Sequence, residues 1–187
     1  MTEQRFRRIV TGLDAQGRSA IVIDGPAGTS YAAPGARLDD FWVQAGRSMD
    51  RRDGTDSATG PVVLGPPEGG SRFRFFELHP AAPGGSAEEA EKSAAKAFAD
   101  IQAGHARVDA SRHPGMHETR TIDYIILLRG RVRLILEEGE TELSPFDVVV
   151  QRGTNHAWEA VGDEPALLCA VLIDAAFADR RDEEKTG

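Results

Sequence analysis

Three residues in the C-terminal half have the types and spacing to hold a metal ion: His117, Asp123 and His156. In an extended strand, residues of equal parity share a face. His117, Thr119, Thr121 and Asp123 therefore point to one side, and the apolar run Ile122 to Leu128 predicts that this side is the interior. Two polar groups buried there need a partner, because an unpaired buried charge is costly. A divalent cation is one such partner. His156 enters from a different strand, just past the tight Arg152-Gly153-Thr154-Asn155 turn, and completes the set.

Two imidazoles and one carboxylate with open positions match the ligand count of non-haem Fe(II) oxygenases. The same donors suit Zn²⁺ with a bound water, or Mn²⁺. A metal-free reading stays open, with His117 or His156 as general base and Asp123 orienting it. Trp158 shares parity with His156 and is expected to wall the cavity. Arg152 and Gln151 lie near the site mouth, where Arg152 can pair with a substrate carboxylate or form a surface salt bridge. His113 shares parity with His117 and is a candidate fourth ligand, although Pro114-Gly115 breaks the extension. Thr119 and Thr121 can hydrogen-bond a substrate, Tyr124 should face outward, and His79 and His105 read as surface residues. Trp42 is either core or pocket wall.

The elements that must position these groups are mostly strands. Arg7 to Gly25 predicts a hairpin, with β-branched runs on either side of Asp14-Ala15-Gln16-Gly17. Phe41-Trp42-Val43 predicts a short strand, and 51–71, dense in Gly, Pro, Asp and Ser, a surface loop. Phe73 to Leu78 predicts a strand stopped by Pro80. One helix is predicted over 86–103: Ser86-Ala87-Glu88-Glu89 has capping-box form, and Ala90, Ala94, Ala97, Phe98 and Ile101 recur at helical spacing. Its alanine-rich stripe should lie flat against the outside of a sheet. Beyond Thr121 all is strand. Ile122 to Leu128 reads as buried on both faces, followed by Arg131 to Leu136, Phe146 to Gln151 and Leu167 to Ile173. The tail 179–187 is charged and expected to be disordered.

At 187 residues the chain fits a single domain. Its 30 acidic against 22 basic residues give a net charge of −8, which leaves no basic excess for nucleic acid or anionic membranes. The lack of an apolar leader after Met1, and of a membrane-length apolar run, predicts a cytoplasmic protein. The one cysteine, Cys169, reads as a buried structural thiol in a reducing compartment.

The stretch 112–175 resembles the cupin superfamily. That family's first motif runs Gly, five residues, His-x-His, three to five residues, Glu, six residues, Gly. His117 falls on its second histidine, Asp123 on its glutamate, and Gly130 on its final glycine. The second motif, Gly-x5-Pro-x-Gly-x2-His-x3-Asn, matches at Gly153 and His156. Asp147 stands where that motif usually has Gly-Asp, although Pro145 and Phe146 displace the glycine. Gly115, Gln151 and Ala160 replace the usual first histidine, proline and asparagine. The chain is most similar to a single-domain branch bearing His-x-Thr-x-Thr-x-Asp-Tyr and Gln-Arg-Gly-Thr-Asn-His-Ala-Trp. The resemblance implies an all-β, cupin-type double-stranded β-helix (a jelly-roll barrel), preceded by an N-terminal β extension over 1–85 and carrying one packing helix.

The expectation is a metal-dependent enzyme acting on a small aromatic or polyketide-like acid or enol. Fe(II) is favoured over Zn or Mn, and an oxygenase over a decarboxylase. A non-catalytic small-molecule-binding cupin and a metal-free isomerase or epimerase are the alternatives. A homodimer is expected, because such barrels expose sheet edges and often pair them across a two-fold axis.

Overall fold

The N-terminal hairpin forms where its turn chemistry sits. The Asp14 carboxylate accepts from the amides of Gln16 and Arg18, both at 2.9 Å, and reverses the chain between β1 (Arg7–Leu13) and β2 (Ser19–Pro26). The protein is seen here as a computed structural model that describes residues 6–81 and 84–177. The tail 179–187 lies outside the described residues.

A second hairpin follows, β3 (Thr29–Ala33) and β4 (Ala36–Gln44), where the sequence predicted only a short strand at Phe41-Trp42-Val43. β5 (Ser71–Leu78) ends before Pro80 as expected. After the helix α1 (Ala87–Asp100) come β6 (Thr121–Arg129), β7 (Val132–Leu136), β8 (Glu140–Leu143), β9 (Val148–Gln151), β10 (His156–Ala160) and β11 (Ala166–Asp174). A six-stranded antiparallel sheet has the order β3-β4-β5-β11-β6-β9, and a three-stranded one the order β10-β7-β8. Between them lies the core. Ile125, Leu127, Leu168 and Leu172 come from the first sheet, Val132 and Leu143 from the second, with Phe76 and Trp158 packed against them. Each such side chain contributes about 1.5–3 kcal/mol by leaving water. Among the described residues the fold is mostly β with a single α-helix, as expected of a jelly roll, although its two larger sheets do not close into a continuous barrel.

Three expectations need correction. β6 is buried on one face only: Thr121, Asp123, Ile125 and Leu127 point inward, while Tyr124 is 49% and Ile122 37% exposed on an uncovered outer face. The capping box of α1 is present, but no residue of the helix is fully buried. Rather than lying flat on a sheet, the helix is held at its C-terminal end. Phe98 and Ile101 pack there with Val62, Ala103, Ala106, Tyr31 and Leu38. The loop 51–71 is also more than surface. Ala58 and Val62 are buried, and the guanidinium of Arg74 donates to Val63 O at 2.6 Å and Leu64 O at 3.2 Å, while Arg72 Nε donates to Gly65 O at 3.0 Å.

Cys169, on the outer face of β11, is half-buried and unpaired, and burial pushes its thiol up. Among the described residues no helix is long and apolar enough to cross a membrane.

Candidate functional site

Inward-facing residues of the six-stranded sheet change character along the strands. Phe76, Leu168 and Leu127 stand side by side across β5, β11 and β6. Four residues further along, the register places Arg72 beside Leu172, Leu172 beside Asp123, and Asp123 beside Gln151 on β9. One end of the interior is apolar and the other polar.

The polar end is internally matched. Asp40 of β4 is fully buried and accepts from Arg72 Nη1 at 2.5 Å, Arg74 Nε at 2.8 Å and Arg74 Nη2 at 3.2 Å. Gln151, 3% exposed, directs its amide nitrogen to Thr154 O and Thr154 Oγ1, each at 2.8 Å. Asp123 is 5% exposed, and its Oδ1 has no hydrogen-bond partner among the described residues. Burial pushes the Asp123 carboxyl up to about 6, against the opposing pull of Thr121 and the Arg74 charge.

The two histidines meet at this end. His117 and His156 form an isolated antiparallel bridge, each amide donating to the other's carbonyl at 2.9 and 3.0 Å. Their ring centroids are 4.3 Å apart. Phe98 from α1 stands 5.0 Å from the His117 ring, Trp158 5.7 Å from His156, and Phe76 6.1 Å from Trp158. Five rings thus run in file from the helix into the core. Burial lowers the pKa of both imidazoles. His156 falls to about 3, with the neighbouring His117 adding to the effect, so both rings are neutral near pH 7.

The structure brings together His117 and His156, with Trp158 walling them on the inside as its parity predicts. Asp123 does not join them: among the described residues no three of His, Cys, Asp and Glu stand together as a metal-binding group. The parity count fails because β6 begins only at Thr121, and 118–120 is not strand. His113 is not gathered either; its Nδ1 accepts the Gly115 amide at 3.0 Å, within the turn that Pro114-Gly115 imposes. Arg152 is exposed. Thr119 and Thr121 bond to each other through their hydroxyls at 2.7 Å. His79 pairs with Glu77 at 3.2 Å and is exposed, as is His105. Trp42 is a pocket wall elsewhere. It lines a cleft of about 750 Å³ between the β1–β2 hairpin and β4, together with Arg8, Val22, Phe41, Met49 and Phe73.

Sequence reading missed Asp40, Arg72, Arg74 and Phe98. A signal existed for the arginines, since Arg-x-Arg alternating within a phenylalanine-rich strand puts two charges on one face.

The donor chemistry fits a divalent ion at two corners. His117 Nδ1 donates to Gly115 O at 2.9 Å, which leaves Nε2 as the lone-pair nitrogen. His156 Nδ1 lies 2.8 Å from Thr154 O, so it can do the same. Backbone carbonyls that hold the second ring nitrogen are the usual support of ligating histidines. Asp123 stays outside that pair.

No protein-family model matches the chain. It is 52% identical over 44 residues to the phomopsin biosynthesis cluster protein C' of Diaporthe leptostromiformis, 23% of each chain. It is 38% identical over 77 residues to the cupin-domain-containing oxidoreductase srdD of Neurospora crassa, covering 38% of this chain and 39% of that one. To the cupin-domain-containing oxidoreductase virC of Hypocrea virens it is 36% identical over 63 residues, 32% of each. These matches therefore span well under half the length of the relatives. Among solved structures, the Cnp3 cupin domain of Schizosaccharomyces pombe aligns with a TM-score of 0.45 at 9% identity, covering 97% of this chain and 93% of that one. Over part of its length the chain is thus similar to cupin-domain-containing oxidoreductases.

Proposed function

We propose that the chain is a cupin-type enzyme that transforms a small organic acid or enol at the His117–His156 pair, with a divalent ion, iron first, held by the two Nε2 atoms. The observation that carries the reading is the state of the imidazoles. Rings whose pKa burial lowers are poor proton acceptors, which disfavours a histidine general base. Neutral rings are what a metal requires, because ligands must be unprotonated.

A divalent ion bound there supplies Lewis-acid polarisation of substrate oxygens and, where it is iron, redox chemistry. The chain's own residues do the rest. Asp123, with a carboxyl near 6 and a free Oδ1, can hold or release a proton close to neutral pH. Trp158 and Phe98 flank the pair with aromatic faces that exclude water and suit an aromatic or polyketide-like skeleton. Arg152, exposed on its turn, is available to a substrate carboxylate.

The ligand count that first pointed to an oxygenase is not assembled around Asp123. Redox turnover is supported instead by two relatives named oxidoreductases, and a small-molecule substrate by relatives from biosynthesis clusters. Elemental analysis of anaerobically purified protein, followed by oxygen uptake with aromatic acids, tests this. Near-stoichiometric iron and substrate-dependent uptake are expected. Zinc or manganese without uptake would redirect the reading to decarboxylation, and metal-free protein that turns over substrate in chelator would overturn it.

A further inference from the structure

His156 has a choice that His117 lacks. His117 Nδ1 faces a backbone carbonyl, Gly115 O, and donates to it. His156 Nδ1 lies 2.8 Å from Thr154 O and 3.0 Å from the Gln151 amide nitrogen. Toward the carbonyl it must carry a proton; toward the amide N–H it must offer a lone pair. One ring nitrogen cannot do both, and the two options leave Nε2 in opposite states. If Nδ1 accepts from Gln151, Nε2 bears the proton and cannot ligate. If Nδ1 donates to Thr154 O, Nε2 keeps its lone pair.

The carboxamide is well placed to press its option. Gln151 is buried, and its two N–H groups have three acceptors within reach: Thr154 O, Thr154 Oγ1 and His156 Nδ1. One N–H can go to Thr154 while the other goes to the ring, and Thr154 O stays satisfied whichever way the ring is protonated. A reversed amide would set its oxygen 2.8 Å from the Thr154 carbonyl oxygen, acceptor against acceptor.

We propose that Gln151 is a positioning residue that sets the tautomer of His156, holding the proton on Nε2 until an ion displaces it. The inference rests on the metal reading of the pair and adds a control to it. Ion uptake then requires His156 to shift one proton from Nε2 to Nδ1, with the N–H···O bond to Thr154 O replacing the one from Gln151. No proton is gained or lost by the ring. The pair is therefore asymmetric, with His117 ready to ligate and His156 gated.

The test is long-range ¹H–¹⁵N correlation of ¹⁵N-histidine protein stripped of metal, on wild type, Gln151→Leu and Gln151→Glu. Expected are Nδ1–H for His117 throughout, and for His156 Nε2–H in wild type but Nδ1–H in both variants. Glu offers only acceptors and keeps the side chain's shape, so it serves if the Leu variant does not fold. Titration with Zn²⁺ alone should give roughly tenfold tighter binding in the variants, the scale on which outer partners tune ligating histidines. Nδ1–H for His156 in wild type, or an unchanged Nε2–H in Gln151→Glu, would overturn the proposal. A swapped tautomer with no Zn²⁺ bound by any of the three proteins upholds Gln151's role and overturns the metal reading instead.

Discussion

Phe76, Leu168 and Leu127 occupy inward positions on three neighbouring strands; four residues further along the same strands the inward positions hold Arg72, Leu172 and Asp123. Backbone geometry is alike at both ends. What differs is the residue type admitted to the interior, and with it the forces at work. The apolar end is held by non-directional burial, which tolerates shape changes and carries no chemistry. The polar end survives burial because its groups are matched, and among the described residues Asp123 Oδ1 and Asn155 Oδ1, beside the histidine pair, are exceptions. The proposed site lies where the matching is incomplete.

Arg74→Ala should cut deepest into that difference. It strips Asp40 of two bonds and leaves a buried carboxylate short of its partner, at a cost of about 3–5 kcal/mol in urea unfolding. A cost typical of a surface substitution would mean the polar end is not internally matched. Leu168→Ala, in the fully buried row at the other end, should cost about 2–5 kcal/mol. Its folded fraction should still take up metal as wild type does; loss of uptake would erase the distinction between the ends.

Acidification sharpens the comparison further. Asp123 is raised from 3.8 to about 6, so the folded protein keeps this proton when the unfolded chain has released it. Stability therefore falls as pH rises from about 4 to 6, by roughly 2–3 kcal/mol. His156, lowered from 6.5 to about 3, acts in the opposite sense: the unfolded chain binds the proton first, and stability falls as pH drops below 6.5. The two slopes oppose each other. Asp123→Asn removes one of them, so its stability should fall more steeply than wild type's from pH 6 to 4, and exceed wild type's at pH 7. Parallel curves would contradict a raised Asp123.

The smallest effect is expected on the outer face of β6. Tyr124→Lys, at an exposed position, should change monomer stability by less than about 0.5 kcal/mol. If the expected homodimer uses the apolar row of Phe73, Val171, Tyr124 and Val150, sedimentation equilibrium will find wild type dimeric and this variant monomeric. A wild-type monomer would remove the dimer from the account.

Local signals were the legible ones. Asp14 marked its turn, Ser86 and Glu89 their capping box, and Pro80 the end of β5, because each acts within a few residues of itself. The histidine pair was legible too, since the Arg152–Asn155 turn delivers His156 at the head of β10. The inward alternation from Thr121 to Leu127 was also correct, but its extension back to His117 was not, because parity holds only while the backbone stays extended. The buried Asp40–Arg72–Arg74 cluster was hidden for another reason. Its partners lie 32 and 34 residues apart in sequence, and charged residues in a strand ordinarily face water. The uncovered face of β6 was misread because a continuous apolar run does not reveal whether anything covers its second side.

In the proposed reading two histidines, without Asp123, form the ion site. Calorimetric titration of metal-stripped protein with Fe(II) under anaerobic conditions tests it most directly, on wild type, His117→Ala, His156→Ala and Asp123→Asn. One ion per chain is expected in wild type and in Asp123→Asn, and none in either histidine variant. Binding lost as completely in Asp123→Asn, or retained without either histidine, would contradict it.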